Sequence, residues 1–566
     1  MSKIRTNNQV LLEECINQEF EESGAYTDID VFFEYFSADQ ILKHKNLNSD
    51  EIEDGQIGGA NDGGFDGLYV FLNDELLTQD KLESLTPSKG KVIEFYIIQA
   101  KHTFSFDENV ILKWKNSSSI LFQMSELTTS QKKRFNEKVI EKFSIFKDVI
   151  KKFIRYQLKI EIKFFYTSLA NDLHPNVQNQ AQELEDMVKK QFPSSDVTIS
   201  FLNAEKLLSS FHSEIDSVYS INLSSPPISS WNRNDYIALM NLREYYHFIS
   251  NEKGDINYNL FEDNVRDYQG KNSVNSCIGE TLKNKKDVNF WWLNNGVTIL
   301  AEKVTPITNT CISLEAPKIV NGLQTSTEIF KNFMESESED EKREILIRII
   351  QPTDEPIRDS IIFSTNNQTA IPKSSLRVTD KIHYQIEMYL KNRGIYYDRR
   401  KNFYKNQKKN SQDIISVSFL AQCLISIVLK KPDMARARPS TLLVEEDIYN
   451  SLYREDVSLN VYYNVAQLGL KVKRFLNHYQ GINTIQKSDI LFYVIYATAS
   501  KVLNKTNITL NDMKNINIDV VDDAFLTDLV HIVLDKYNQS GGTSQIAKSP
   551  KFVSDIAEIM ATKQRE

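Results

Sequence analysis

Glycine and proline are scarce in this chain, with 18 and 13 among 566 residues, and cysteine is scarcer still at four. So few turn-formers exclude a collagen-like or low-complexity chain, and no internal repeat is detectable. Cys15, Cys277, Cys311 and Cys423 are scattered, with no CxxC pair and no histidine at ligand spacing. That excludes a disulfide framework or structural zinc site and fits a reducing cytosol. No apolar run approaches the ~20 residues of a membrane span, and the opening MSKIRTNNQVLLEE lacks a signal peptide's apolar stretch. A cytoplasmic protein with no membrane partner is expected. Charge of neither sign dominates: 67 Lys and Arg stand against 76 Asp and Glu, a net −9. The surface is therefore not uniformly built to grip nucleic acid, although a local basic patch would suffice. P-loop, GxSxG and HExxH motifs are also missing, which argues against a standalone ATPase, esterase or zinc protease.

What is present is ample apolar content, 41% hydrophobic, in a chain too long for one core; two or three domains are expected. Apolar spacing predicts helix up to about residue 48. Residues 55 to 67, GQIGGANDGGFDG, hold six glycines and precede two β-like runs at 68 to 72 and 92 to 100. An amphipathic helix follows over 130 to 156. Strand and helix then alternate: strands at 160 to 168 and 197 to 203, helices at 176 to 192 and 204 to 213. This α-β-β-β-α-β order predicts an α/β (α+β) fold whose first sheet is flanked by helices on both faces. The stretch INLSSPPISSW over 221 to 231 marks a boundary, and the chain divides into 1–225, a mixed α/β segment 226–450, and a mainly helical 451–566. A split near 375 or 410 is an alternative, since the chain reads as mostly helical from about 375.

The chemistry concentrates at the first sheet. Asp66 opens a strand in GGFDGLYVF, while Gln99 and Lys101 lie two apart at the end of the next strand, on one face. A hairpin brings Asp66 alongside them. Phosphodiester hydrolysis needs a divalent ion to offset transition-state charge, a carboxylate to hold it, and a cation or base near the attacking water. Asp66 suits the main ligand, Gln99 a neutral carbonyl ligand, and Lys101 the group that positions or deprotonates water. Mg²⁺ or Mn²⁺ suits such oxygen donors. Glu34 is the candidate third acid, aligned with Val31, Ala38 and Ile41 on a helical stripe facing the sheet; a carboxylate there needs a partner. Glu94 sits an odd number of positions from Gln99, on the other face. The plain alternative is that Asp-Gly is an ordinary turn dipeptide and Lys101 an exposed strand end, with His102 beside it exposed as well.

GGFDG, a strand and then QAK resemble the PD-(D/E)xK nuclease core in its Mrr-like variant, where Gln replaces the acid before x-Lys. Farther on, NLFEDNVRDYQG, FWWLNNGVTI, KIVNGLQTS, FSTNNQTAI and YYDRRKNFY, roughly over 230 to 450, are similar to the AIPR family, named for abortive infection and phage resistance. The resemblance implies a restriction-endonuclease-like N-terminal sheet, a phage-defence role and a nucleic-acid substrate, DNA ahead of RNA. Partner proteins of a defence system and a homo-oligomer remain open.

In the second segment, uncharged amides recur in the signatures: Asn294, Asn295, Asn321, Gln324 and Asn367. They either cap turns or line a pocket for nucleotide or nucleic acid, together with Arg266. Residues 391 to 410 hold eight basic residues against one Asp, interleaved with tyrosines. Tyr396, Tyr397, Arg399, Arg400 and Lys401 are therefore the nucleic-acid-binding candidates, with Arg436 and Arg438 as an extension; basic runs are also ordinary solvated surface. Three functions compete: a nuclease, a binding protein whose nuclease fold has lost catalysis, and a nucleotide-sensing subunit of a defence complex.

Overall fold

The computed structural model describes residues 5–45, 47–73, 75–87, 89–212, 218–229, 235–250, 256–261, 273–284, 287–335, 341–366, 381–399, 402–407, 409–437 and 445–563. Two compact units emerge. Met1–Ser210 and Lys373–Glu566 build the first, and Phe211–Pro372 build the second. The chain thus leaves its first unit and returns to it, a partition that cuts across the three consecutive segments read from sequence.

The first unit begins with α1 (Asn7–Ser23), α2 (Ile29–Leu42) and α3 (Ser49–Gly55). Thr6, Asp28 and Asn48 each cap one of these helices by accepting a backbone N–H near its start. Then come β1 (Gly67–Leu72), β2 (Glu75–Leu76), α4 (Gln79–Ser84), β3 (Val92–Lys101), α5 (Glu108–Leu121), α6 (Thr129–Lys132), α7 (Glu137–Phe153), β4 (Lys159–Ser168), α8 (Pro175–Gln191), β5 (Ser195–Leu202) and α9 (Ala204–His212). The sheet runs β2-β1-β3-β4-β5. β1 and β3 are antiparallel, Gly67 opposite Ile98, whereas β3, β4 and β5 are parallel.

Alternation along β1 and β3 sends Tyr69, Phe71, Tyr96 and Ile98 into a core with Ala38, Ile41 and Leu42 of α2. Leu68, Val70, Phe95 and Ile97 pack on the other side with α5, α7 and α8. Both faces are covered, as the element order predicts. One helix, α5, escapes periodicity because Ser117, Ser118 and Ser119 interrupt it, yet Asp107 caps its start and Trp114 is fully buried.

The second unit holds β6 (Val218–Asn222), β7 (Ile228–Ser229), β8 (Tyr236–Asn241), α10 (Leu242–Phe248), α11 (Ser273–Asn284), β9 (Val297–Leu300), β10 (Lys303–Thr308), β11 (Cys311–Glu315), β12 (Lys318–Asn321), α12 (Leu323–Glu335), β13 (Glu344–Ile350) and α13 (Glu355–Asn366). Its main sheet is ordered β12-β9-β13-β8-β7, and β10-β11-β6 form a smaller one. β6 falls in the stretch expected to be a boundary: Ile221 is buried opposite Ile312.

Back in the first unit, α14 (Lys381–Lys391), β14 (Tyr396–Asp398), α15 (Phe403–Asn406), β15 (Ile414–Ser416), α16 (Val417–Val428), α17 (Pro432–Ala437), α18 (Glu446–Leu452), α19 (Asn460–His478), α20 (Thr484–Leu503), α21 (Asp523–Gln539), α22 (Ser544–Ala547) and α23 (Pro550–Lys563) form a helical assembly around α16 and α20. Polar contacts join it to the N-terminal helices. Lys473 pairs with Asp50 at 2.6 Å and Glu53 at 2.8 Å, Lys548 pairs with Glu141 at 2.9 Å, and the Asn402 side chain donates to the Leu47 carbonyl at 2.9 Å. Among the described residues no helix is long and apolar enough to cross a membrane.

Candidate functional site

Asp66 is positioned by the glycine loop before it. Gly63 and Gly64 both take left-handed backbone, φ 71° and 87°, a conformation that costs glycine least. Their carbonyls accept hydrogen bonds from α5: Ser117 Oγ to Gly63 at 2.7 Å and Trp114 Nε1 to Gly64 at 2.6 Å. Asp62 closes the loop by accepting from the Gly64 N–H at 2.8 Å and from Lys113 at 2.7 Å. Held this way, the backbone N–H of Asp66 donates to Ile98 at 2.9 Å and its side chain turns onto the end of β3. Oδ2 accepts from the Ala100 N–H at 2.8 Å and from Gln99 Nε2. Asp66 and Gln99 are buried, and Lys101 is exposed at the strand end.

Glu34 reaches the same place from α2. The expected stripe is only partly realised, because Val31 is 40% exposed while Phe33, Phe36 and Ser37 face inward. The buried face is wider than a single stripe, and Glu34 stands at its margin. Burial, then the negative charge of Asp66, push the Glu34 carboxyl up to about 9 against the opposing pull of Lys101. Burial likewise pushes Asp66 up to about 6, with Lys101 and the Ala100 N–H working the other way. Neither the Glu34 nor the Lys101 side chain makes a hydrogen bond or ion pair with the described residues.

The four residues singled out by sequence therefore meet: two carboxyls short of positive charge, an amide and an ammonium. The arrangement can share a proton, bind a cation through carboxylate oxygens, or hold an anion at Lys101. No group of three or more His, Cys, Asp or Glu placed to hold a metal ion occurs among the described residues. A cavity of about 460 Å³ adjoins the site and is lined by Lys101, Thr103, Ser105, Asp107, His174 and Asn176 among others. Of the four site residues, Lys101 alone borders it.

Sequence reasoning passed over two acidic neighbours and placed a third residue, His102, on the surface. Asp62, four residues before Asp66 in the same loop, raises both acids. Asp30, one turn before Glu34 on α2, lies 3.2 Å from His102 Nδ1. His102 is not the exposed residue expected: its ring packs on Phe33 at 5.2 Å, and Nε2 is buried without a hydrogen-bond partner. The i, i+4 spacing of Asp30 and Glu34 was the available signal.

The expected nucleic-acid patch is placed differently. Arg399 is buried against Glu387 at 2.9 Å, and Tyr397 is buried with its hydroxyl 2.7 Å from His383. Tyr396 packs its ring on Tyr404 at 5.1 Å and is half-buried. Arg436 sits 3.4 Å from Asp489 with its side chain 16% exposed. These residues knit the helical assembly, with Glu387 and Asp489 set against the two arginines. Arg400, Lys401, Arg438, Arg266 and Asn367 lie outside the described residues. In the second unit Asn294 accepts from Gly296 N at 2.9 Å and donates to Thr325 at 3.1 Å. The Asn295 carbonyl accepts from Arg348, and Asn321 donates to the Thr365 carbonyl at 2.6 Å. Gln324 lies in the first turn of α12.

The signatures that carry these amides lie within a longer match: the family model described as AIPR protein covers residues 261–548. The chain belongs to the AIPR family. That membership gives it a role in abortive infection and anti-phage defence. The AIPR match extends well beyond the motif-bearing region near 230 to 450, into α22 of the helical assembly. No curated protein and no solved structure matches the chain.

Proposed function

We propose that the N-terminal sheet of this AIPR protein is a PD-(D/E)xK-type nuclease that hydrolyses phosphodiester bonds in phage or host nucleic acid with Mg²⁺ or Mn²⁺. The observation that carries this reading is the convergence of Glu34, Asp66, Gln99 and Lys101, from α2, the glycine loop and β3, with both acids short of a counter-charge. Buried carboxyls held above their ordinary range cluster where function requires them. Asp66 Oδ1 and the Glu34 carboxyl have no hydrogen-bond partner among the described residues, so these oxygens fit a hard divalent ion, and the amide of Gln99 can turn its oxygen toward the same ion. When bound, that ion would offset the charge that builds on the phosphorus oxygens. Lys101 supplies a fixed positive charge to the scissile phosphate, and the adjoining cavity gives the sugar-phosphate backbone a bed of hydroxyls at Thr103 and Ser105. Glu34, protonated near neutrality without the ion, would give up that proton as it takes its place beside Asp66 in the ligand set.

The test is cleavage of DNA and RNA by the purified full-length protein with Mg²⁺ or Mn²⁺, alongside Lys101→Ala. Loss of cleavage in the variant supports the reading; a wild-type protein that binds but never cuts overturns it. Gln99 in place of an acid favours a second reading, a nuclease fold kept only for binding. Under it, Asp66→Ala and Lys101→Ala leave phage protection in plating assays intact.

A further inference from the structure

The cavity that borders Lys101 is built from fixed parts. The Ser168 hydroxyl, at the end of β4, donates to the carbonyls of Thr103 at 2.6 Å and Ser105 at 3.2 Å, and the Leu169 N–H donates to Thr103 as well, at 2.9 Å. The Asp107 N–H donates to the Tyr166 hydroxyl at 2.9 Å. Phe106 stands edge-on to Tyr166 and Phe201, with ring centroids 5.0 and 5.3 Å away. The wall from Lys101 to α5 is therefore held by its neighbours before any ligand arrives, as in most ligand pockets. Its volume of about 460 Å³ lies within the ~300–1,000 Å³ of small-molecule sites.

The lining disfavours a phosphate inside. Among the described residues that line the cavity, Lys101 is the one ammonium, and the carboxylates of Asp107 and Glu108 stand against it. The two helix starts beside it are capped from within. Asp107 accepts from the Asn109 N–H at 2.9 Å at α5, and His174 Nδ1 accepts from the Asn176 N–H at 3.2 Å at α8, so these donors are not offered to an anion. What the cavity does offer is an apolar floor with polar edges. Phe106, Val110 and Val177 are buried, while the side chains of Ser105, Glu108 and Asn176 make no hydrogen bond or ion pair among the described residues. With Nδ1 accepting, the neutral His174 ring keeps Nε2 as a donor. A flat, largely apolar ring with donors and acceptors on its edge matches this lining, and that is a nucleobase. Of the two carboxylates, Asp107 is engaged at the helix cap and Glu108 is not, and a carboxylate accepts from an exocyclic amine such as cytosine N4.

We infer that this cavity takes an unpaired, amino-bearing nucleobase, its exocyclic amine donating to Glu108, and that the substrate of the N-terminal site is single-stranded. The inference rests on the nuclease reading, which puts a phosphate at Lys101 and so sets the adjoining base beside the cavity. Extruding a base from a duplex costs stacking and pairing, and a cavity whose rim at Thr103, Ser105 and His174 is exposed recovers only part of that. A single strand presents its bases without this cost.

Fluorescence anisotropy of the full-length protein with labelled DNA of about twelve nucleotides tests it. Ca²⁺ replaces Mg²⁺, to fill an oxygen-ligand site while binding is read. The probes are a mixed-sequence single strand, its blunt duplex, oligo(dC) and oligo(dT), the last two differing by an amine against a carbonyl at the base edge. The single strand is expected to bind about tenfold tighter than the duplex, and oligo(dC) about tenfold tighter than oligo(dT). Glu108→Ala should bring the oligo(dC)-to-oligo(dT) ratio to about twofold or less at unchanged circular dichroism. Mere relief of charge repulsion would strengthen both strands alike and leave the ratio as it was. A duplex bound as tightly as the single strand, oligo(dT) bound as tightly as oligo(dC), or a ratio that survives Glu108→Ala would overturn the pocket. Cleavage with Mg²⁺ is scored separately: both preferences in a protein that never cuts would remove the nuclease reading and leave the pocket, whereas cleavage with neither preference would remove the pocket alone.

Discussion

The two ends of β3 hold buried acids under opposite regimes. Near its start, Glu94 lies between Lys45 and Lys163, the latter 2.5 Å away. Although burial pushes this carboxyl up, the two ammoniums outweigh it and hold Glu94 below its ordinary range. At the other end Asp66 and Glu34 have one exposed lysine between them, and both are held up. The strand is the same, so partner placement makes the difference. Buried charge is tolerated where the fold supplies counter-ions; a pair left short of them is held in its protonated form over a wider pH range.

The sharpest way to break this comparison is to exchange the roles of the two ends. Asp66→Asn should cut divalent-ion-dependent cleavage of DNA or RNA by about 100-fold or more with the melting temperature nearly unchanged. Glu94→Gln losing as much activity at equal stability would erase the distinction. Next in size is the structural end. Glu94→Ala takes the carboxylate away from Lys45, whose side chain is 3% exposed, and should cost about 3–5 kcal/mol in urea unfolding. A loss below about 1 kcal/mol would place that cluster among dispensable surface pairs.

A smaller effect concerns protons. At pH 7.5 Glu34, at about 9, is protonated and Asp66, at about 6, is ionised. Mn²⁺ held by both carboxylates should therefore release about one proton, read from the buffer dependence of the binding enthalpy; binding with no proton release would remove Glu34 from the ligand set. The smallest effect is on stability. The folded carboxyl of Glu34 lies above its unfolded value, so its contribution is full below about pH 4.5 and is lost as pH rises through about 9. Glu34→Gln should accordingly melt roughly 2–4 °C above wild type at pH 9 and close to it at pH 5. A variant no more stable at pH 9 would show that Glu34 carries no strain.

Strong periodicity made most of the first sheet legible. The runs at 68 to 72 and 92 to 100 are β1 and β3 within a residue, and Pro175–Gln191 and Ser195–Leu202 fall where helix and strand are expected. The convergence of Asp66, Gln99 and Lys101 was legible because strand pairing is local and the loop is short. Glu34 was legible only as an acid on an inward-facing helix. In residues 391 to 410 composition reports charge, not partners: Glu387 and Asp39, which take up Arg399 and Lys405, are distant from or unmarked beside that basic run.

By itself the sequence determined the helical and strand segments, the two-sided covering of the first sheet, and the AIPR signatures, because these rest on spacings of a few residues and on local backbone preference. Tertiary structure alone decided that residues 373–566 return to the N-terminal unit, that Glu94 is neutralised while Glu34 is not, and that His102 is enclosed. Those outcomes depend on which charges and rings meet across hundreds of residues. Coulomb energy and desolvation are set by distance in space and by burial, and neither is written in the spacing along the chain.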